Sequence, residues 1–270
     1  MTSTSKSTEL SPRVKTAAVV THGRVDVASA VARVEAVAKK AGVALVDDPF
    51  EADIVVALGG DGTMLRTLAK LLGSTIPVIG VNYGRIGFLA SIQPEDLDRD
   101  LERVFRGEFV TVELPTLQVR LDGTRHVAVN DVVVTSSTLG RMVELSWAIG
   151  GEDLGTVPCD GMICSTPSGS TAYNLSNGGP VLVRGLDAMA VTFIAPHSLH
   201  ARPFVVPRGA EVTVRNATAD VPVALLVDGQ RVAEAQPGEQ VAIYLCEQRS
   251  LLATLPETTF FGRYREIFSS

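Results

Sequence analysis

Short apolar runs alternate with segments of helical periodicity over the first hundred residues. Apolar residues at every third or fourth position predict helices over residues 27–40, 63–72 and 94–106, and Asp26 is placed to cap the first of them. The short apolar runs predict buried strands over residues 16–21, 43–46, 54–58 and 77–81. This alternation of strand and helix predicts a parallel sheet with helices on both of its faces.

The pattern changes around Leu114-Pro115, where helical periodicity gives way to short alternating runs. Turn signals such as Asp122-Gly123 and Asp228-Gly229 separate these runs, and only residues 170–176 have a helical pattern. Strands are predicted over residues 117–121, 127–135, 143–149, 190–195, 212–214, 223–227 and 241–245. The predicted fold is an α/β domain with a Rossmann-like parallel sheet, followed by an all-β, sandwich-like domain.

These patterns divide the chain into four predicted segments. They are a disordered polar tail over residues 1–13, the α/β domain over 14–114, the β domain over 115–248 and a C-terminal segment over 249–270. The last segment is too apolar for a solvated tail, since it contains Phe260, Phe261, Tyr264 and Phe268. We expect it to pack back on the α/β domain or on a partner subunit.

The composition narrows the functional classes. Apolar residues make up 46% of the 270 residues and the net charge is −6, which disfavours a general nucleic-acid binder. No run reaches the roughly 18 apolar residues of a membrane helix, and the N-terminus lacks the apolar core of a signal peptide. Cys159, Cys164 and Cys246 lack CxxC spacing, which indicates buried free thiols. We expect a cytoplasmic protein with neither membrane nor nucleic acid among its partners.

The first candidate site is a glycine-rich turn, Gly59-Gly60-Asp61-Gly62-Thr63, between a predicted strand and a predicted helix. Open parallel sheets bind ligands at such junctions, and glycines let backbone N–H groups approach phosphate oxygens closely. The spacing matches neither the dinucleotide fingerprint nor the P-loop. Asp61 can act as a base on a hydroxyl group or reach a metal, and the alternative is a tight turn in which it only caps the helix.

The second candidate site is the segment from Asp160 to Pro180, which reads DGMICSTPSGSTAYNLSNGGP. Its hydroxyl side chains are too many for simple capping of one turn, namely Ser165, Thr166, Ser168, Ser170 and Thr171. Aspartates and hydroxyl residues hold sugar hydroxyls or a metal. The two segments together therefore indicate an enzyme that handles a nucleotide.

These segments, together with residues 82–89 (NYGRIGFL) and Asn130-Asp131, resemble the NAD kinases in order and approximate spacing over residues 16–246. The resemblance implies transfer of the γ-phosphoryl group of ATP, or in some members of polyphosphate, to the 2′-hydroxyl of the adenosine ribose of NAD. It implies an α/β domain followed by a β-sandwich, in agreement with the pattern above. It also implies Mg²⁺ or another divalent cation without fixed protein ligands, and a homo-oligomer such as a dimer or tetramer.

The resemblance assigns roles to individual residues. Asp61 corresponds to the general base, in a predicted donor-phosphate loop of Gly59, Gly60, Gly62 and Thr63. Asn130 and Asp131 correspond to a pair that binds adenosine and its ribose, and Asp160 to the residue that holds the nicotinamide side. Phe88 corresponds to the residue against the adenine. The remaining predicted NAD-binding residues are Gly62, Arg66, Arg141, Ser168, Thr171, Ala172, Tyr173, Asn174, Leu175, Ser176, Ala195 and Gln230.

Three positions depart from the pattern of the family. Asp131 stands where the family has Glu, which withdraws the carboxylate by roughly 1.5 Å and is expected to weaken ribose binding or alter the preference between NAD and NADH. Pro158 stands where many members have Arg, so a charge contact with the dinucleotide is expected to be missing. Ser168 replaces the common Thr and keeps the hydroxyl group.

Other interpretations remain open from the sequence. A lipid kinase of the diacylglycerol type shares a GGDGT turn, but it does not account for residues 166–173 (TPSGSTAY) or Asn130-Asp131. A non-catalytic NAD-binding sensor is the alternative outside the enzymes. His197 and His200 are interpreted as a structural pair because no third metal ligand is evident, and Arg85 faces either phosphate or solvent.

Overall fold

The computed structural model describes residues 12–21, 28–84, 87–198 and 201–268. Two compact units make up the chain, one of Met1–Glu113 with Ser250–Ser270 and the other of Leu114–Arg249. The proposed cap Asp26, Arg85, His200 and most of the predicted tail lie outside the described residues.

In chain order, the α-helices of the described residues are α1 (Ala28–Ala41), α2 (Asp61–Lys70), α3 (Leu97–Phe105), α4 (Tyr173–Ser176) and α5 (Phe260–Phe268). The strands are β1 (Thr16–Thr21), β2 (Ala44–Leu45), β3 (Ile54–Gly59), β4 (Val78–Asn82), β5 (Val110–Leu121), β6 (Thr124–Ala128), β7 (Asp131–Ser136), β8 (Val143–Ile149), β9 (Glu152–Cys159), β10 (Gly161–Ser165), β11 (Ala188–Ile194), β12 (Phe204–Pro207), β13 (Val212–Asn216), β14 (Val223–Val227), β15 (Gln230–Ala235) and β16 (Gln240–Thr254). Short 3₁₀ helices lie at Pro49–Glu51, Pro94–Asp96 and Gly169–Thr171.

The first unit contains a parallel sheet in the order β2-β1-β3-β4, and Leu252 near the end of β16 pairs in parallel with Val78. Every residue of β3 is buried, as expected for a central strand of a parallel sheet. Helices α1 and α3 contribute Val34, Leu101 and other apolar side chains to the core over this sheet. Gly42 ends α1 with a φ of 72°, a backbone conformation that glycine adopts without strain.

The second unit contains two antiparallel sheets. One has the order β16-β13-β8-β9, with β5 pairing β16 and β6, and the other has the order β12-β11-β10-β7-β14-β15. Apolar side chains of both sheets form a single core cluster, such as Leu145 and Ile243 from the first sheet and Met162 and Leu225 from the second. The unit is therefore a β-sandwich, and the predicted fold class is confirmed.

Some predicted element bounds were wrong. The helix predicted over 63–72 begins two residues earlier, at Asp61, because the glycine-rich turn itself supplies the first helical turn. The run 127–135 is two strands, β6 and β7, separated at Val129 and Asn130. Strand β10 was missed because all five of its residues are buried and no alternation is left to detect. The sequence also failed to predict strands β9, β12 and β15, which are largely exposed and are either polar or short.

The C-terminal segment forms α5, which packs within the first unit. The ring of Phe88 lies 5.9 Å from that of Phe260 and 5.9 Å from that of Phe268. Arg263 of α5 is 6% exposed and donates a hydrogen bond from Nη2 to the backbone oxygen of Ala90. Helix α5 therefore holds the segment of residues 88–90 in place.

Candidate active site

Asp61 is the first residue of α2, directly after the turn that ends β3. Its carboxylate accepts the backbone N–H of Phe88 at 3.0 Å and that of Leu89 at 3.3 Å. A Cβ at Gly87 would overlap the carboxyl atoms, so glycine is required there for the carboxylate to occupy this position. A carboxylate offers about four lone-pair sites, so two donors orient it and leave capacity for a third.

The glycine-rich turn leaves the N-terminus of α2 open. Gly60 is its N-cap and has no side chain to cap the helix, while Thr63 and Met64 donate their N–H groups to the Gly60 oxygen. The N–H groups of Asp61 and Gly62 are left without a carbonyl of their own helix, which is the arrangement that binds anions. Close contacts enforce the turn, because a Cβ on Gly84 would lie 2.8 Å from the Gly60 Cα.

Asn130 and Asp131 lie at the start of β7 in the second unit. The Asn130 backbone oxygen accepts the Thr166 N–H at 2.9 Å, and a Cβ on Gly169 would overlap that oxygen. The Asn130 Oδ1 atom is buried and has no hydrogen-bond partner among the described residues. A buried acceptor left unpaired is unusual, and its donor has to come from outside these residues, from a bound ligand or a water molecule.

Asp228 holds the segment that carries Asn130 and Asp131, a role that the sequence did not predict, since it indicated only a turn at Asp228-Gly229. Its carboxylate accepts the backbone N–H groups of Val129 at 2.9 Å, Asn130 at 2.7 Å and Asp131 at 3.2 Å. These bonds replace the sheet ladder where residues 127–135 break into two strands. No local pattern could reveal them, because the partners are almost one hundred residues apart.

The carboxyl groups of Asp131 and Asp228 are both buried. Burial first, and then the neighbouring charge of Asp228, raise the pKa of Asp131 from 3.8 to about 7. Burial also raises the pKa of Asp228, while the three backbone N–H groups that it accepts act in the opposite direction. Asp131 therefore exchanges its proton in the physiological range.

The hydroxyl groups of the second glycine-rich segment divide into two kinds. Thr166 Oγ1 donates to the Val129 oxygen at 2.7 Å, and Ser170 Oγ donates to the Pro167 oxygen at 2.8 Å and accepts the Leu182 N–H at 2.9 Å. Ser168 Oγ, in contrast, is buried without a partner in the part of the chain that the structure describes. Thr166 and Ser170 therefore stabilise the loop, whereas Ser168 Oγ contributes no hydrogen bond to it among the described residues.

The predicted dinucleotide-binding run 171–176 forms the end of a 3₁₀ helix and the short helix α4. Asn174 is fully buried; it donates to the oxygens of Ser170 and Pro180 and accepts the Thr192 hydroxyl at 2.7 Å. Its side chain therefore positions the loop from inside the fold. The side chain of Tyr173 is exposed, with Thr171, Ala172 and Leu175 half-buried and Ser176 exposed.

Asp160, Ala195 and Gln230 lie at the ends of strands in the second unit. Asp160 is exposed, and its backbone pairs with Ile194 and Ser136 while its carboxylate has no partner among the described residues. Ala195 has a φ of 43°, a strained conformation for a residue with a side chain, of a kind that concentrates at functional sites. Gln230 is exposed at the start of β15, directly after the Asp228-Gly229 turn.

The remaining positions singled out in the sequence, two arginines, a phenylalanine and a proline, lie in different environments. Arg66 is exposed on α2, and Arg141 forms an ion pair with Asp220 at 3.0 Å. The Phe88 ring, predicted to lie against adenine, already contacts two rings of α5. Pro158 pairs with Glu144 in the β8–β9 ladder, and its oxygen accepts the His197 N–H at 2.8 Å.

Three further observations concern metals, membranes and thiols. Among the described residues, no group of three or more His, Cys, Asp or Glu side chains is arranged to hold a metal ion. None of the helices in the described ranges is long and apolar enough to cross a membrane. The three cysteines are free and buried, as predicted, and burial raises the pKa of Cys159 and of Cys164 to about 12.

Comparison with known proteins identifies the family. The model of the N-terminal domain of ATP-NAD kinases matches residues 7–109, and that of the C-terminal domain matches residues 129–255. The NAD kinase of Gemmatimonas aurantiaca is 37% identical over 225 residues, which are 81% of this chain and 77% of the relative. The NAD kinase of Heliobacterium modesticaldum is 40% identical over 219 residues, or 79% of this chain and 77% of the relative.

Solved structures agree with these matches. An NAD kinase from Archaeoglobus fulgidus in complex with ATP superposes with a TM-score of 0.78 at 27% identity, covering 94% of this chain and 97% of that one. Yeast NADH kinase complexed with NADH shares the fold with a TM-score of 0.82 at 20% identity, covering 95% and 88%. Fold and matches together define a nucleotide-dependent phosphotransferase. The chain belongs to the NAD kinase family, whose members phosphorylate NAD to NADP.

Proposed function

We propose that the chain transfers the γ-phosphoryl group of ATP to the 2′-hydroxyl of the adenosine ribose of NAD, with Asp61 as the general base. The observation that carries this proposal is the carboxylate of Asp61, which two backbone N–H groups orient at the N-terminus of α2. Asp61 takes the proton of the 2′-hydroxyl as its oxygen forms a bond to the γ-phosphorus. The bond from that phosphorus to the bridging oxygen of ATP breaks, and ADP leaves.

The donor phosphates are assigned to the turn of Gly59, Gly60, Gly62 and Thr63. The free N–H groups at the start of α2 and its helix dipole attract anionic oxygens. ATP is supported as the donor by the similar chain solved in complex with ATP. Polyphosphate presents the same terminal phosphoryl group to such a turn. If the turn alone selects the phosphoryl donor, a parallel assay is expected to show turnover with polyphosphate as well as with ATP.

A divalent cation such as Mg²⁺ fits this donor set only as a partner of the phosphates. Two lone-pair sites of Asp61 already accept backbone N–H groups, and the described residues contain no cluster of carboxylates around it. A phosphate-bound cation neutralises developing charge on the transferred group when it is present. The residues of this chain then have to position the donor and orient the hydroxyl group.

Most of the predicted NAD-binding residues belong to the second unit, while Gly62, Arg66 and Phe88 belong to the first. The unpaired Oδ1 of Asn130 and Oγ of Ser168 offer hydrogen bonds to adenosine, and Asp131 offers its carboxyl to the ribose. The exposed carboxylate of Asp160 is assigned to the nicotinamide side. The run 171–176, with Ala195 and Gln230, supplies the remaining contacts, mainly from backbone and exposed side chains.

We also propose that the protein is a homo-oligomer, a dimer or a tetramer. Helix α5 exposes Phe261 to 67%, Tyr264 to 39% and Phe268 to 44%, which is a large apolar area for one helix. Light scattering of the wild type and of Phe261→Ser tests this proposal. A monomer for the wild type contradicts it.

The central experiment measures NADP formation by the purified protein with Mg²⁺, NAD and ATP, with NADH and polyphosphate in parallel reactions. Asp61→Asn is expected to bind NAD but to lose turnover by about 10²–10⁴-fold, the usual contribution of a general base. Full turnover in this variant contradicts the role of Asp61. Binding of NAD by the wild type without any phosphorylation supports the non-catalytic sensor instead.

A further inference from the structure

A cavity of about 600 Å³ lies beside helix α5 in the first unit. Its lining combines residues that follow β4 with the C-terminal segment: Ser91, Gln93, Glu257, Thr258, Thr259, Gly262, Arg263, Arg265 and Glu266. None of these residues belongs to the glycine-rich segments or to the predicted NAD site. The cavity therefore contributes no residue to the function proposed above.

Two buried polar groups at this cavity lack partners among the described residues. One is Nε of Arg263, a side chain that is only 7% exposed, and the other is Oγ of Ser91. The two outer nitrogens of Arg263 are engaged, Nη1 with Glu266 at 3.0 Å and Nη2 with the Ala90 oxygen. An unpaired buried N–H group on a guanidinium costs stability unless an acceptor reaches it.

The charges of the lining favour an anion as that acceptor. Glu257 is bound by Arg103 through two hydrogen bonds of 2.6 and 3.1 Å, and Glu266 is bound by Arg263. Arg265 forms no ion pair with the residues that the structure describes. The donors of the lining that have no partner among the described residues are thus Nε of Arg263, Oγ of Ser91 and the exposed guanidinium of Arg265, and guanidinium and hydroxyl donors match a carboxylate or phosphate group.

We infer that this cavity is a second binding site, specific for a small anion that carries a carboxylate or phosphate group. The backbone connects it to Asp61 over three consecutive residues. Leu89 donates its N–H to Asp61, Ala90 offers its oxygen to Arg263, and Ser91 lines the cavity. An anion that fixes Arg263 and Ser91 also fixes the segment that orients Asp61. This regulatory consequence rests on the role proposed for Asp61, but the binding site does not.

Calorimetric titration of the full chain tests the binding site, with inorganic phosphate and succinate in separate arms at constant ionic strength. Saturating NADP and a non-hydrolysable ATP analogue are present throughout so that neither the NAD site nor the donor-phosphate turn binds the anion. Ser91→Ala removes a hydroxyl that makes no hydrogen bond with any described residue, and Arg265→Gln changes an exposed side chain, so both variants are expected to fold. Arg125→Gln, at an exposed arginine in the second unit, is the matched control.

The wild type and Arg125→Gln are expected to bind at least one of the two anions at one site. Each cavity variant is expected to bind about tenfold more weakly, which is the loss of one charge-assisted hydrogen bond. Binding of neither anion, or equal binding by the cavity variants, overturns the inference. The same anion is expected to change the turnover of the wild type but not that of the Ser91→Ala/Arg265→Gln double variant. An inactive protein that still binds the anion contradicts the proposed function alone.

Discussion

The carboxylate of Asp228 accepts the backbone N–H of Asn130 at 2.7 Å, across a sequence separation of 98 residues. The same carboxylate accepts the N–H groups on either side of Asn130. The Asp228-Gly229 turn between β14 and β15 therefore shapes the segment that carries Asn130 and Asp131. We expect the proposed adenosine contacts to depend on Asp228 as a positioning residue.

Asp228→Ala is expected to destabilise the protein by about 2–4 kcal/mol, because it leaves three backbone N–H groups without their acceptor. Asp122→Ala is the matched control, since Asp122-Gly123 forms the same two-residue turn with a φ of 47° at both aspartates. Asp122 is exposed, so its variant loses only the turn preference. Urea unfolding of both variants measures the difference in the free energy of unfolding. Equal losses of stability in the two variants contradict a positioning role for Asp228.

The free energy of unfolding is expected to decrease as the pH rises, because of Asp131. Its pKa is raised from 3.8 to about 7 in the folded protein, so the unfolded chain releases this proton first as the pH rises. The folded state therefore loses stability between about pH 4 and pH 7, by about 1.4 kcal/mol per pH unit at most. Above that range both states are ionised and the loss is complete.

Asp131→Asn keeps the shape of the side chain and removes this titration. It is expected to be more stable than the wild type near pH 8 by about 2–4 kcal/mol and to match it near pH 4. Free energies of unfolding at several pH values measure the difference. A difference that does not change with pH means that Asp131 is ionised in the folded protein. Asp131→Glu, measured for NAD affinity, tests the departure from the family separately.

Gly87→Ala and Gly62→Ala are expected to impair turnover for different reasons. At Gly87 a methyl group overlaps the Asp61 carboxylate, so this variant is expected to displace the proposed base and to lose turnover by about 10²-fold or more. At Gly62 the nearest atom to an added Cβ is Nη1 of Arg66 at 3.8 Å, so the protein itself tolerates the methyl group. Loss of turnover in Gly62→Ala with unchanged thermal stability is expected if donor phosphates approach this turn closely, and full turnover contradicts that placement.

Ser168→Ala and Ser170→Ala separate ligand binding from folding. Ser168→Ala removes a hydroxyl with no partner among the described residues, so stability is expected to be unchanged or higher by up to about 1 kcal/mol, with NAD binding several-fold weaker. Ser170→Ala breaks bonds to Pro167 and Leu182 and is expected to lose about 1–3 kcal/mol of stability. Thermal unfolding with and without NAD measures both effects. Unchanged NAD binding in Ser168→Ala argues against a contact with the nucleotide.

The fold class follows from the sequence because its signals are local. Helical periodicity, glycine stops such as Gly42 and the Asp122-Gly123 turn each act within a few residues, and the structure has the corresponding elements. The sequence did not predict strand β10, because burial on both of its faces removes the alternation of apolar and polar residues. The position of Asp61 at a strand-to-helix turn was equally local.

The environments of the site residues depend on contacts between distant segments. The orientation of Asp61 requires Phe88 and Leu89, and the break between β6 and β7 requires Asp228. The composition of the TPSGSTAY run indicates hydroxyl groups but not which of them bond internally. Only the packing distinguishes Ser170, which is fully bonded, from Ser168, which is not.

The discontinuous first unit has a consequence for synthesis on the ribosome. Asp61 and its strand emerge early, but Leu252, which pairs with β4, and helix α5, which contacts Phe88, emerge only after the entire second unit. Until then the nascent chain carries an incomplete sheet edge and uncovered aromatic rings, the features that chaperones recognise and that favour misassembly. Asp61, the proposed base, is thus synthesised before the second unit, and the helix that contacts Phe88 is synthesised after it.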